Sequence, residues 1–226
     1  MSIKETIQIK YWKNMSDFGE KLGLRVVGHV LIKDRETGEV ISDVFNAIHR
    51  ENMSEALALA LGDRPHGHVQ TMVFGNGGSI VSAVGNINYL PPNVNGADSN
   101  LYNQTFSKVV NDQSPLDQDP VNNKIRVNHT LNTFYSDVQI TCTLNYNEPS
   151  GQGAYDDAPV VNASAALLSG TATDSNGTYI FDELGLKTFN PLTGKTKLLS
   201  HVIFHPVQKA LNRAIEIIYT IRIIID

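Results

Sequence analysis

Wherever this chain is apolar, its apolar residues mostly recur at every second position, and that period predicts strands rather than helices. The pattern is plainest from Val138 to Tyr146. There Val138, Ile140, Cys142, Leu144 and Tyr146 share one face, and Asp137, Gln139, Thr141, Thr143 and Asn145 share the other, as in a half-buried antiparallel strand. From Leu24 to Asp34 β-branched residues dominate. Arg35-Glu36-Thr37-Gly38 then forms a polar, glycine-ended bend before Glu39 to Phe45 resumes the extended pattern, which predicts a hairpin. Further strands are predicted over His68 to Phe74, Ile80 to Tyr89, Thr178 to Glu183, Leu198 to His205 and Ala214 to Asp226. In the last of these Ile215, Ile217, Tyr219, Ile221, Ile223 and Ile225 form one face, while Ile218 and Ile224 interrupt the polar residues of the other. A strand wet on one side has no need of those two, so this strand is expected to be covered on both faces, either centrally in a sandwich or by a partner.

One segment departs from the period of two. Asn52 is followed three residues later by Glu55, a capping-box pattern, and Met53, Leu57, Ala60 and Leu61 fall on one helical face before Gly62. This predicts a short helix over Met53 to Leu61, whose apolar stripe has to pack on a β layer. The expected fold is mainly β: one domain over residues 1–226, an antiparallel, jelly-roll-like sandwich with one short α-helix and long loop insertions. Residues 1–22 form an N-terminal arm in which Ile3, Ile7, Ile9 and Tyr11 suit either a strand or a segment that orders on a neighbour. Residues 90–123 are rich in Pro, Asn, Asp and Ser and read as a long insertion, with Tyr102, Phe106, Val109 and Val110 available for burial. Residues 148–177 form a second insertion, in which Val160 to Leu168 suits a short helix or strand.

Charge and chemistry narrow the function. A net charge of -5, a pI near 5.8 and scattered Lys and Arg argue against nucleic acid as the main partner, since phosphate is held by clustered cations. The charged start, Met1 to Asn14, lacks an apolar signal core, and no run approaches the roughly 18 apolar residues of a membrane helix, so a soluble protein with no membrane partner is expected. Cys142 is the only cysteine, which removes an internal disulfide or a multi-thiolate zinc site, and its alternation with Ile140 and Leu144 places it in the core. His66 and His68 form an H-x-H pair entering a strand, as cupin-type metal sites begin. A cupin then needs a nearby Glu, where this chain has Val69, Gln70, Thr71, Met72 and Val73, so no metal is expected. His49, His129, His201 and His205 are isolated in sequence. Gly75-Asn76-Gly77-Gly78 is followed by Ile80-Val81 rather than by Lys-Ser or a helix, so it reads as a strand-to-strand bend and not a phosphate cradle. Asp156-Asp157 and Asp182-Glu183 read as solvated turns, no G-x-S-x-G is present, and no cofactor is implied.

The order VLIKDRETGEVISDVFNAIHRENMSEALALAL, a strand, FGNGGS, then after insertions FDELGL and finally LLSHVIFHPVQKALNRAIEIIYTIRI resembles structural proteins of tailed-bacteriophage virions. The likeness spans most of the chain. It implies a non-enzymatic virion subunit of the tail, baseplate or fibre-attachment apparatus, with a neck or capsid-decoration protein as the near alternative. It further implies assembly in the host cytoplasm, with other virion proteins and copies of itself as partners. It names no catalytic residues. Polar insertions, an amphipathic N-terminal segment and a doubly apolar closing strand suit a subunit whose surface neighbours complete, and they make Tyr102, Phe106, Val109, Ile218 and Ile224 candidate assembly contacts. The competing class is a stand-alone cupin-like or glycan-binding β-sandwich. The missing carboxylate near His68 and the single Trp12 count against it.

Overall fold

The period-two segments become twelve strands and the one period-3.6 segment a helix, in a computed structural model that describes residues 23–82, 84–149 and 178–225. In chain order these are β1 (Leu24–Asp34), β2 (Val40–Phe45), β3 (Ala47–Ile48), α1 (Arg50–Leu61), β4 (Thr71–Gly75), β5 (Ser79–Val81) and β6 (Ile87–Tyr89). There follow β7 (Gln104–Val109), β8 (Lys124–His129), β9 (Tyr135–Leu144), β10 (Thr178–Asn190), β11 (Lys195–Ala210) and β12 (Ile215–Ile225). One antiparallel sheet has the order β2-β1-β12-β9-β8, the second the order β3-β11-β10-β4-β7, and β5 and β6 form a separate hairpin. The fold is mainly β, with one helix among the described residues, a sandwich whose two sheets share an apolar cluster. Val30, Ile140, Cys142, Ile217 and Tyr219 come to it from the first sheet; Phe74, Phe181, Leu184, Leu186 and Phe204 come from the second. Phe181 centres an aromatic group, edge-on to Phe74 at 5.4 Å and to Phe204 at 5.7 Å and stacked on Tyr179 at 5.4 Å.

β12 lies in the middle of its sheet, between β1 and β9. Its inner face, Ile215, Ile217, Tyr219 and Ile221, is buried. On the outer face Ile218 sits between Leu31 and Thr141, and Ile224 between Arg25 and Tyr135. These lateral neighbours leave both isoleucines only half-buried, so the second side of the strand is covered less completely than its composition predicts. Arg222, also on that side, pairs with Asp137 at 2.7 and 2.8 Å and lies 4.1 Å above the Tyr135 ring.

Local signals were displaced in three places. The helix starts at Arg50 under the cap of His49, whose Nδ1 accepts the Asn52 N–H at 3.2 Å, and not at Met53 under Asn52. Asn52 instead lies inside the first turn, where its amide NH2 donates to Leu198 O at 2.9 Å and Ala97 O at 3.2 Å, tying the helix to β11 and to the 90–103 segment. The stretch 90–123 is not all insertion: β7 forms within it, at the edge of the second sheet beside β4. Phe106 therefore packs in its own chain's core, 5.9 Å from Phe74 and 6.4 Å from Tyr179. The segment Ile80 to Tyr89 is a hairpin rather than one strand. The arm, and the 150–177 part of the second insertion, lie outside the described residues.

Asp34 ties two turns together. Its Oδ1 accepts the N–H groups of Glu36 and Thr37, both at 2.9 Å, and its Oδ2 accepts Arg213 Nε at 2.6 Å. The Thr37 N–H first, and the Arg213 guanidinium second, hold this carboxyl well below the ordinary 3.8. A depressed carboxyl contributes stability above its unfolded-state pKa and loses it as pH falls toward the folded-state value. The stability gap between the native chain and Asp34→Asn is thus expected to be widest near neutrality and to narrow from about pH 4 downward. Urea midpoints measured across that range check it; a gap independent of pH would contradict the assignment.

Candidate functional site

The most concentrated polar chemistry lies inside the second sheet. Asp182 and Glu183 are consecutive on β10, where an irregularity in the pairing with β11 falls between Phe181 and Glu183. Such a bulge re-aims side chains, and here both carboxylates reach the loop that follows β4. Glu183 is fully buried. Its Oε1 accepts the N–H of Gly77 at 3.0 Å and of Asn103 at 2.8 Å, and its Oε2 accepts the N–H of Tyr102 at 2.9 Å and His201 Nε2 at 2.9 Å. His201, on β11, is equally buried, and its Nδ1 accepts the N–H of Asn93 at 2.8 Å. With an N–H already directed at Nδ1, the ring proton belongs on Nε2, where it is donated to Glu183. Asp182 Oδ1 accepts the Gly78 N–H at 2.9 Å and Oδ2 accepts the Ser79 hydroxyl. Burial raises the pKa of the Asp182 carboxyl.

Gly75 makes the arrangement sterically possible. It pairs with Glu183 across the β4–β10 ladder, and a Cβ on it would stand 2.4 Å from both Glu183 Oε1 and Asn103 O. The glycine-rich bend is thus a strand-to-strand turn, wrapped around two carboxylates.

This reverses the expectation that Asp182-Glu183 is a solvated turn: the pair lies in the interior of β10, flanked by buried Phe181 and Leu184. It also unites three segments far apart in sequence, FGNGGS, FDELGL and LLSHVIFHP, which supply the loop, the carboxylates and the imidazole respectively. Chemically the dyad is saturated. Both Glu183 oxygens accept two donors each, and both His201 nitrogens are engaged, so neither side chain offers a free position to a reacting group. What the cluster does is hold the 75–79 loop, the 93–103 segment and two strands in one register.

The other candidates stay apart. His66 lies in a turn with φ +82 and His68 is exposed before β4 begins at Thr71, so the pair does not project from a strand; the turn presses on α1 at Gly67, where a Cβ would meet Ala60 N at 2.5 Å. Among the described residues no three His, Cys, Asp or Glu side chains are grouped to hold a metal ion. Cys142 is buried, and burial pushes its thiol up to about 12. A cleft of about 360 Å³ lies between α1 and the β10–β11 turn, lined by Asn52, Glu55, His66, Thr188, Lys195 and Lys197 among others, with no Phe, Tyr or Trp to form a sugar platform. Among the described residues no helix is long and apolar enough to cross a membrane. Of the candidate assembly contacts, Tyr102 is exposed at the end of the carboxylate cluster, with its hydroxyl donating to Pro91 O at 2.7 Å. Val109 ends the edge strand β7, while Ile218 and Ile224 lie on the outer face of the other sheet, so the five do not form one surface. From sequence, Glu183 reads as part of a solvated turn and His201 as an isolated histidine, and the two are not joined; the available signal was a charged pair inside an apolar alternation, Phe181 to Leu186, which marks a strand interior and not a turn.

Family models, curated proteins and solved structures were all searched, and none matches this chain.

Proposed function

We propose that this chain is a non-enzymatic structural subunit of a tailed-bacteriophage virion, belonging to the tail, baseplate or fibre-attachment apparatus. One observation carries the reading. The segments FGNGGS, FDELGL and LLSHVIFHP, which bear the resemblance to virion proteins, meet in a single buried cluster whose hydrogen-bonding capacity is spent on holding loops. Residues used in that way serve a scaffold and not a reaction. The half-covered outer face of β12 supports the same reading, because a subunit surface is completed by its neighbours. Phe106 is occupied in its own core, which leaves Ile218, Ile224 and Tyr102 as the side chains most suited to contacts with other virion proteins or with further copies of the chain.

Ile224→Asp tests this. Lying half-buried at the margin of the sheet, the new carboxylate retains access to water, so the isolated chain is expected to fold with near-native near-UV circular dichroism and a loss of roughly 1 kcal/mol. Its incorporation into phage particles, scored by complementation and by sedimentation of particles, is expected to fall at least tenfold. Normal folding with normal incorporation would remove the outer face of β12 from the assembly surface.

A further inference from the structure

The cleft beside α1 is walled by two polar faces that share no residue with the Glu183 cluster. Asn52, Glu55, Ala56 and Leu59 stand at helical positions i, i+3, i+4 and i+7, so a single face of α1 forms one wall. The opposite wall is the turn end of the β10–β11 ladder, where Thr188 pairs with Lys197 and Asn190 with Lys195. His66 completes the lining from the turn that follows the helix. Asn52, Ala56 and Thr188 are buried and form the floor, whereas Glu55 and Lys195 are exposed at the rim. The Lys197 ammonium donates to Glu55 and so bridges the two walls.

Two buried polar atoms of this lining, Asn52 Oδ1 and His66 Nδ1, have no partner among the described residues. Buried polar atoms are nearly always paired, so two orphans in one cleft call for a reason. The Asn52 amide cannot turn round to hide its oxygen, because its NH2 is held by Ala97 O and Leu198 O. That oxygen needs a donor. His66 adopts φ +82, which costs a side-chain-bearing residue energy, and its turn is pressed against α1 at Gly67. The strain keeps an imidazole on the cleft. A hydroxyl group suits both orphans: it donates to Asn52 Oδ1, and it donates to or accepts from His66 Nδ1 according to the tautomer. Charge adds a second requirement. Lys197 is matched by Glu55, while Lys195 has no ion pair among the described residues, so the lining offers one unmatched positive charge. No Phe, Tyr or Trp lines the cleft, so ring stacking plays no part, and its volume of about 360 Å³ falls in the range of small-molecule sites.

We infer that this cleft binds a small monocarboxylate carrying several hydroxyl groups, a sugar acid or another polyhydroxy acid. Its carboxylate meets Lys195, and its hydroxyls meet Asn52 Oδ1, His66 Nδ1 and Thr188. A phosphate monoester, with about two negative charges at neutral pH, exceeds the one unmatched cation. The site lies outside both the Glu183 cluster and the outer face of β12, so it goes beyond the structural-subunit reading and does not depend on it.

Calorimetric titration of the full chain with sodium gluconate tests the site, with sodium butyrate as an anion lacking hydroxyls and sorbitol as a polyol lacking charge. Gluconate is expected to bind once per chain with a Kd of about 1 mM or below, and each control about tenfold more weakly or worse. Lys195→Gln and His66→Gly are each expected to weaken gluconate binding about tenfold, the size of one lost hydrogen bond to a charged group or one orphan left unpaired. His66→Gly also separates binding from folding. Glycine adopts a positive φ without strain, so the urea midpoint is expected to hold or rise while affinity falls. If that midpoint drops instead, the exposed Lys195→Gln decides alone. Absence of gluconate binding up to about 10 mM overturns the inference and means that solvent alone meets the orphaned atoms. Equal binding of butyrate or sorbitol overturns the ligand class. Gluconate binding that survives Lys195→Gln unchanged, or a stably folded His66→Gly unchanged, places the ligand elsewhere and overturns the site.

Discussion

Replacing Ile221 by Asp is expected to leave no folded protein. Ile221 is 4% exposed on the inner face of β12, in one row with Gly28 of β1 and Val138 of β9, and it belongs to the cluster that both sheets share. The row itself consists of Gly28, Ile221, Val138 and Val127, none of them basic, so the carboxylate would remain unpaired or take up a proton. Either outcome costs several kcal/mol, to which the lost isoleucine packing adds. Set against a total stability of about 5–15 kcal/mol, that loss removes most or all of the margin. Ile221→Val serves as the control, at about 0.5–1.5 kcal/mol, since it removes one methyl group and introduces no charge. Soluble yield and near-UV circular dichroism read the contrast. A soluble Ile221→Asp chain with a native spectrum would mean that this end of the first sheet is wetter than the row-by-row burial indicates.

The second large effect is expected at Glu183. In Glu183→Gln the shape is kept, but one oxygen becomes an amide NH2 facing two N–H groups, whichever way the amide is turned. It meets either Gly77 and Asn103 or Tyr102 and His201. Two donors then face a donor in a dry site, and the loss expected for disrupting a buried, fully hydrogen-bonded carboxylate is about 3–5 kcal/mol. Asp182→Asn should cost less, roughly 1–2 kcal/mol, because its partners are the Gly78 N–H and Ser79, whose hydroxyl can rotate to suit an amide. Urea unfolding of the two variants side by side gives the ranking. Hydrogen exchange should localise the damage, with the amides of Gly77, Tyr102 and Asn103 losing protection first in the Glu183 variant. A Glu183→Gln chain within 1 kcal/mol of native would show that the cluster is not what holds these loops.

The burial of this cluster runs against its local appearance. Paired acids beside a glycine are usually solvated, and Asp182-Glu183 has that local appearance. What overrides it is the set of donors brought by the fold. Glu183 finds partners 80 and 106 residues away in Asn103 and Gly77, and only their convergence makes burial of a carboxylate tolerable. The helix cap shows the same competition on a smaller scale. Asn52 is the better capping residue by type, but it sits inside the first turn with its NH2 tied to Leu198 O and Ala97 O, and the cap falls to His49.

Local periodicity determined a good deal by itself. The alternation through Val138 to Leu144 and Ile215 to Ile225 predicts strands with one buried face, whereas the cover expected on the second face of the closing strand is only partial, Ile218 and Ile224 being half-buried between their lateral neighbours on β1 and β9. Cys142 belongs to the core on the same evidence, and the run of glycines after Phe74 requires a tight bend. Only the tertiary structure decided which segments adjoin. A polar stretch such as 90–123 contains a strand because β4 offers it an edge, and Tyr102, Asn103 and His201 become ligands of one carboxylate because β4, β10 and β11 are neighbours. Burial of a side chain leaves a local trace in the period of its own segment. Its hydrogen-bond partners leave none, because they are chosen by long-range strand pairing that no short stretch of chain encodes.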